Sequence, residues 1–165
     1  IIPRGEAALG YSQQKPVNKK IMTEQEILCR IAVLLGGRCA ELIMYNNVST
    51  GASDDIEKVS SLITNYTNSW GMNKKIGPLN PDSMGALGKQ LTSEATNKCK
   101  EIVNAIEKQT IELLKTNKKY MEDLAEDLLK NETINYNKIK SLIPEELENS
   151  QEIKLPEAGP KEEAD

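Results

Sequence analysis

The stretch that most constrains the fold is residues 48–71, because it carries the beginning, the apolar stripe and the end of one helix. Its apolar residues recur at helical spacing and predict a single buried stripe: Ile56, Val59, Leu62, Ile63, Tyr66 and Trp70. Gly71 stands where a left-handed C-terminal cap would be needed. The pattern therefore predicts one amphipathic helix that ends at a glycine.

The beginning of this helix admits two interpretations. A turn of small residues, 49–52, precedes it, and Ser49 or Ser53 could serve as its N-cap. Asp54 and Asp55 follow in the first helical turn, where the macrodipole favours negative charge. The simpler interpretation is that both acids only stabilise the helix. The alternative is that one of them points into a site and holds a cation, and local chemistry does not choose between the two.

Length and charge limit the domain organisation and the partners. A chain of 165 residues can bury one core, so we expect a single domain over residues 1–143. Residues 144–165 are acidic and poor in large apolar residues, which predicts a disordered tail. The net charge of −4 argues against a nucleic-acid-binding surface. No apolar run approaches the roughly 20 residues of a transmembrane helix.

Cysteine and histidine usage restricts the chemistry further. The three cysteines are odd in number and lack metal-binding spacing, so we expect neither a disulfide framework nor a zinc knuckle. Cys29 and Cys39 lie in an apolar helical pattern and are expected to be buried thiols in a reducing compartment. The chain contains no histidine, which excludes a histidine-based catalytic or metal site built from these residues alone.

A second helix is predicted to begin at Thr23, which with Glu26 forms the capping-box pattern. Its apolar residues occupy more than one face, which favours a helix at the centre of the domain: Ile27, Leu28, Ile31, Val33, Leu34 and Leu35. Residues 36–37 are both glycine, which suggests tight helix packing or a site that needs backbone access. Arg38 is three residues from Glu41, so we expect a weak local ion pair.

The remaining segments predict a mainly α fold with a small β-strand element near the N-terminus and a C-terminal helical bundle. Residues 1–14 alternate in the manner of two short strands. Residues 71–81 are dense in glycine and proline and are expected to form a loop. Helical patterns follow at 91–115 and around 120–129, with a break expected at Asn117 and Lys118, and residues 133–143 are expected to form a short third element.

Four blocks occur in a familiar order: IIPRGEAALGYSQQ (1–14), MTEQEILCRIAVLLGGRCAE (22–41), VSTGASDDIEKV (48–59) and WGMNKKIGPL (70–79). Together they resemble the proteolytic domain of the FtsH family of membrane-anchored, ATP-dependent zinc metallopeptidases. The likeness is strong over about residues 1–80 and extends to helix type alone in the later helices. One departure is Leu42, where the family carries a second acid after Glu41.

The resemblance implies a zinc site that this chain completes only in part. In the family, two histidines of an H-E-x-x-H helix and one aspartate hold zinc, and the glutamate of that motif is the general base. The aspartate corresponds to Asp55, with Asp54 as its neighbour. The H-E-x-x-H helix normally precedes the first block, so no catalytic residue is assigned within this chain. The chain begins at Ile1 rather than methionine, from which we expect a piece of a longer protein.

The resemblance also implies what the site acts on and where. An extended segment at Ala8, Leu9, Gly10 and Tyr11 could bind unfolded protein substrates through main-chain hydrogen bonds. ATP would bind in another domain, and the whole protein would form a homo- or hetero-hexamer, anchored in a bacterial-type or organellar inner membrane by a segment elsewhere. Residues 1–165 on their own are expected to be soluble and inactive.

Two other interpretations remain open at this point. One is a protease-like subunit that has lost the H-E-x-x-H residues and acts structurally in a hexamer. The other is an unrelated helical interaction module in which the four blocks coincide by chance. The residues upstream of Ile1 would separate the first from an active peptidase, and the absence of an upstream nucleotide-binding domain would favour the second.

Overall fold

The computed structural model describes residues 21–86, 88–143 and 153–155, and these residues are mainly helical. Their α-helices are α1 (Glu24–Tyr45), α2 (Ser53–Thr64), α3 (Gly88–Thr116), α4 (Lys118–Asn131) and α5 (Tyr136–Leu142). The expectation of a mainly α fold is confirmed. No strand occurs in the described part, and the strands expected at 1–14 lie outside it. None of the described helices combines the length and apolarity needed to cross a membrane.

Helix α1 begins at the predicted capping box. The Thr23 backbone N–H donates to Glu26 Oε2 at 2.8 Å, and the Glu26 N–H donates to Thr23 Oγ1 at 3.3 Å. Two of the N–H groups that a helix leaves unpaired at its start are therefore satisfied. The helix continues through both glycines to Tyr45 and ends at Asn46, whose φ of 52° lies in the left-handed region.

One face of α1 is buried, and its residues follow the helical repeat: Ile27, Leu28, Ile31, Leu35 and Cys39. Val33 lies on another face and is 58 % exposed, so the expectation that several faces are buried is wrong. Among the described residues, a Cβ at Gly36 or Gly37 would meet no atom within 4 Å, so tight packing against them does not require either glycine. The described part of the chain gives no steric reason for these two glycines.

Helix α2 passes into one wide turn before it ends. Residues 65–69 form a π-helical turn, in which the Trp70 N–H donates to the Asn65 carbonyl at 2.8 Å. Gly71 follows with a φ of 61°, as the sequence predicts, and a Cβ there would lie 2.9 Å from Pro78 Cα. Any side chain at Gly71 would therefore strain the backbone and collide with the loop that follows.

The apolar stripe of α2 is shorter than the sequence predicts. Val59, Ile63 and Tyr66 are buried, but Ile56 is 42 % and Trp70 is 44 % exposed. The π turn adds a residue to the last turn, so Trp70 is rotated away from the stripe that an α-helix would continue. Ile56 lies in the exposed first turns of the helix, and its inclusion in the buried stripe is wrong.

Residues 22–86, 88–113 and 153–155 belong to one compact unit with α1, α2 and most of α3. Helix α3 begins three residues earlier than the expected Leu91 and contributes Ala95, Ile102 and Ile106 to the core. Arg38 of α1 reaches α3, with Nε 3.3 Å from Glu107 Oε1. The core of this unit is therefore built from all three helices.

The cysteines occupy different depths of this unit. Cys39 is fully buried, as expected, and burial raises the pKa of its thiol to about 11. Cys29, which was also expected to be buried, is only half-buried. Both, like Cys99, are free thiols.

Residues 114–143 belong to a second unit, which carries α4 and α5. The break between α3 and α4 falls at Asn117, as the sequence predicts. Helix α5 is capped by Asn135, whose side chain accepts the Lys138 N–H at 3.0 Å. Neither α4 nor α5 contains a fully buried residue.

Candidate metal centre

Asp55 lies in the first turn of α2, directly after a 3₁₀ turn formed by Thr50–Ala52. Ser49 caps that 3₁₀ turn, since its Oγ accepts the Gly51 N–H at 3.1 Å. Ser53 is already within the helix and makes no side-chain cap. Neither serine is therefore the N-cap of α2, which is Ala52 and makes no side-chain cap, and the expectation of a serine cap on this helix is wrong. The acids still follow where the helix macrodipole favours a negative charge.

The two neighbouring acids have different surroundings. Asp54 forms an ion pair with Lys58 one turn later, and its side chain is 74 % exposed. This contact and the negative charge of Asp54 raise the pKa of Lys58. Asp55 is half-buried, and within the described residues no hydrogen bond or ion pair engages its carboxylate. Asp54 is therefore a paired surface residue, whereas the Asp55 oxygens make no hydrogen bond or ion pair within the described residues and affect Lys58 only through their charge.

A contact from α1 fixes the turn that precedes Asp55. The Glu41 carboxylate accepts the Ser49 N–H at 2.9 Å and the Ser49 hydroxyl at 2.5 Å, and we call this pair the Glu41–Ser49 clasp. Both hydrogen bonds hold the pKa of Glu41 below its usual value, and the Ser49 hydroxyl has a larger effect than the Ser49 backbone N–H. A Cβ at Gly51 would lie 3.2 Å from Ser49 Oγ, so the close turn favours glycine there. The clasp thereby sets where α2, and Asp55 with it, begins.

This clasp corrects the expected pair between Arg38 and Glu41. Arg38 instead pairs with Glu107 of α3, and Glu41 bonds the Ser49 turn. The sequence placed Arg38 and Glu41 within reach of each other, but both partners come from more distant parts of the chain. Arg38 still contributes at longer range, since its charge helps to lower the pKa of Glu41. A conspicuous Ser-Thr-Gly turn soon after the acid of α1 was the available signal for the clasp.

The described residues contain no cluster of three histidine, cysteine, aspartate or glutamate side chains that could hold a metal ion. A zinc ion takes three or four protein ligands, so these residues could supply at most part of a site. Asp55 fits the role of one such ligand, because its carboxylate is half-buried, fixed at a helix start and not engaged within the described residues. The extended segment at Ala8, Leu9, Gly10 and Tyr11 lies outside the described residues.

Comparison with known proteins finds a family for the chain as a whole. Residues 1–142 match the model for peptidase family M41. The chain is 37 % identical over 166 aligned residues to the ATP-dependent zinc metalloprotease FtsH 1 of Petrotoga mobilis, covering 92 % of this chain and 25 % of that protein. It is 36 % identical to the FtsH protein of Chlorobium luteolum, covering 87 % of this chain and 22 % of the relative.

The FtsH protein of Thermotoga maritima is a further relative, at 32 % identity over 90 % of this chain and 27 % of its own length. All three relatives are named as ATP-dependent zinc metalloproteases. The chain spans about a quarter of the length of these curated relatives, so it corresponds to one part of each of them.

Proposed function

The chain belongs to peptidase family M41, and we propose that it supplies the Asp55 ligand and the helical frame of a zinc endopeptidase site whose other groups lie outside these residues. The observation that carries the proposal is the contrast between the two acids. Asp54 is exposed and paired with Lys58, whereas Asp55 is half-buried without a partner among the described residues. A carboxylate held in this way can bind a cation without first breaking an ion pair.

The residues of this chain act by positioning. Zinc, when bound, would lower the pKa of a bound water and make it a nucleophile toward a peptide carbonyl. Asp55 would supply one oxygen ligand from the first turn of α2. The Glu41–Ser49 clasp would position Asp55 indirectly, because it fixes the turn from which α2 begins. The two histidine ligands and the general-base glutamate are expected upstream of Ile1.

The proposal extends to the whole protein through its relatives. We propose ATP-dependent degradation of unfolded or membrane proteins by a hexamer that is anchored in an inner membrane, with ATP bound in another domain. The segment Ala8–Tyr11 would bind an extended substrate through main-chain hydrogen bonds, and the substrate would be the added strand. The same helices would also suit a subunit that has lost catalysis. The competing function is therefore that of an inactive subunit in such a hexamer.

The test uses the full-length protein and the two neighbouring aspartates as a matched pair. Asp55→Asn should lower zinc content, measured by inductively coupled plasma mass spectrometry, and abolish casein degradation while ATP hydrolysis continues. Asp54→Asn should leave all three near wild type, because Asp54 is paired on the surface. Normal zinc content and casein degradation in Asp55→Asn would exclude Asp55 as a ligand.

A further inference from the structure

A cleft of about 430 Å³ lies on the unit that contains α1, α2 and most of α3. It is separate from Asp55, which does not line it. Leu28, Tyr66 and Ile102 contribute apolar surface to its walls, and Lys74 and Lys75 contribute positive charge. An apolar groove with several lysines fits a ligand that is both apolar and acidic.

Two residues near the C-terminal end of the sequence form part of the wall of this cleft. Ile153 and Leu155 line it, and Lys154 between them is exposed. Side chains two positions apart lie on the same side of an extended backbone, so both apolar residues can face the groove together. The contact thus has the pattern of an apolar-x-apolar motif.

The side chain of Gln109 binds the backbone of this motif. Gln109 Nε2 donates to the Lys154 carbonyl at 2.6 Å, and the Lys154 N–H donates to Gln109 Oε1 at 2.9 Å. A neighbouring β-strand would offer the same donor and acceptor. The Gln109 side-chain amide therefore recognises an extended main chain rather than a particular side chain. Sequence preference then comes from the two apolar positions.

Charge favours the same occupant. Residues 144–165 contain eight acidic residues and two lysines. Both glutamates that line the cleft are engaged, since Glu24 accepts the Tyr66 hydroxyl at 2.6 Å and Glu101 pairs with Lys98. The positive charge that Lys74 and Lys75 add to the cleft is therefore complementary to the acidic tail.

Asn73 adds an unused hydrogen-bond donor to the groove. It lines the cleft, is 4 % exposed, and its Nδ2 has no acceptor within the described residues. Its Oδ1 is engaged by the Lys75 N–H at 3.1 Å, so the side chain is held in place. A buried unpaired donor is costly, and residues 153–155 leave it unpaired, so a further carbonyl or carboxylate of an acidic peptide would satisfy it.

We propose that this cleft is a binding groove for an extended acidic peptide with an apolar-x-apolar core, and that its occupant is the chain's own C-terminal tail, docked in cis through Ile153 and Leu155. The inference depends on neither Asp55 nor zinc. The motif and the groove belong to the same chain, so docking is intramolecular and weak intrinsic affinity suffices. The tail then acts as a latch that excludes other peptides of the same pattern.

The first test is hydrogen–deuterium exchange of the Lys154 amide in the full-length protein. The amide should be protected, and Ile153→Asp combined with Leu155→Asp should speed its exchange by about tenfold or more. Lys154→Ala is the matched control, because it removes an exposed side chain and keeps the main-chain contacts with Gln109. Exchange at the unprotected rate in the wild type would overturn the proposal.

The second test uses a fluorescein-labelled peptide of residues 150–160 and full-length protein truncated after Gln151. The peptide should bind the truncated protein, and the same peptide with aspartate at both apolar positions should not. The intact protein should bind the labelled peptide at least about tenfold more weakly, because its own residues 153–155 already hold the Gln109 contacts and part of the cleft wall. Equal binding to intact and truncated protein would contradict docking of the tail.

A mixed assembly distinguishes a cis latch from a tail exchanged between two copies. Subunits with Gln109→Ala and an intact tail are combined with subunits that keep Gln109 and lack residues 152–165. A cis latch leaves the Lys154 amide of the first subunit unprotected. Recovery of its protection would mean that the tail occupies the groove of another copy, and cis docking would be wrong.

Discussion

Helices α1, α2 and α3 bury their apolar residues against one another, whereas α4 and α5, in the second unit, contain no fully buried residue. Ile31 and Ile106 of the first group are 0 % exposed, while Leu129 of α4 and Tyr136 of α5 are 77 % and 72 % exposed. Both groups have helical apolar spacing in the sequence. The difference shows that periodicity predicts which face of a helix is apolar, and that burial depends on what the rest of the chain brings to that face.

The comparison is tested most strongly by truncating one apolar side chain in each region. Ile106→Ala should lower the free energy of unfolding by about 2–5 kcal/mol, because it leaves a cavity in a filled core. Leu129→Ala should change it by less than about 0.5 kcal/mol, since most of that side chain is in water. Urea denaturation followed by circular dichroism measures both. Similar losses for the two variants would show that α4 is covered in solution.

Thiol reactivity probes the same difference without truncation. At pH 8, Cys39 should react with iodoacetamide at least about 100-fold more slowly than a cysteine introduced as Leu129→Cys, because burial both blocks access and raises the pKa of the Cys39 thiol to about 11. Peptide mass spectrometry after timed labelling assigns the rates residue by residue. Rapid labelling of native Cys39 would mean that the core opens locally.

A pair of tyrosines separates buried from exposed hydroxyl groups. Tyr66→Phe should cost about 1–3 kcal/mol of unfolding free energy, since the buried Tyr66 hydroxyl donates to the Glu24 carboxylate at 2.6 Å. The same contact, after burial itself, raises the pKa of Tyr66. Tyr136→Phe should cost less than about 0.5 kcal/mol, because that side chain is mostly exposed. Chemical denaturation of both variants gives the difference, and equal costs would contradict it.

The smallest expected effect is the pH dependence from the Glu41–Ser49 clasp. The pKa of Glu41 is lowered in the folded state, so its contribution to stability is present above the unfolded-state pKa of about 4.5 and is lost as pH falls through the lower folded-state value. Stability should therefore fall more steeply between pH 6 and pH 3 in the wild type than in Glu41→Gln. Urea midpoints across that range measure the slopes.

Glu126→Gln in α4 is the control for this measurement. Glu126 Oε2 lies 3.7 Å from Lys130 Nζ, and both side chains are about 70 % exposed, so the pair should contribute less than about 0.5 kcal/mol. Parallel pH profiles for wild type and Glu41→Gln would show that the clasp does not stabilise the fold.

Local features of the fold could be predicted from the sequence. The capping box at Thr23, the left-handed Gly71 and the break at Asn117 each depend on residues within a few positions of one another. The family could also be recognised, because four motifs in a fixed order carry more information than any one of them. Asp55 as a metal ligand is still a prediction, since its partner ligands are expected outside the chain.

The features that could not be predicted involve distant residues. Arg38 meets Glu107, sixty-nine positions away, and Gln109 binds the backbone of Lys154, forty-five positions away. A local rule pairs a residue with its helical neighbours and has no means to choose such partners. No local sequence pattern predicts the π turn at residues 65–69. This turn moves Trp70 out of the apolar stripe that a regular α-helix would continue.

The Glu41–Ser49 clasp also has a thermodynamic consequence for any cation that Asp55 binds. A carboxylate of the protein itself holds the turn between α1 and α2, so part of the loss of backbone freedom in that turn precedes ligand binding. Binding then needs little further ordering of the chain, and more of the intrinsic attraction between carboxylate and cation is expressed as affinity. Ser49→Ala should thus weaken metal retention through an entropic term, without touching the ligand.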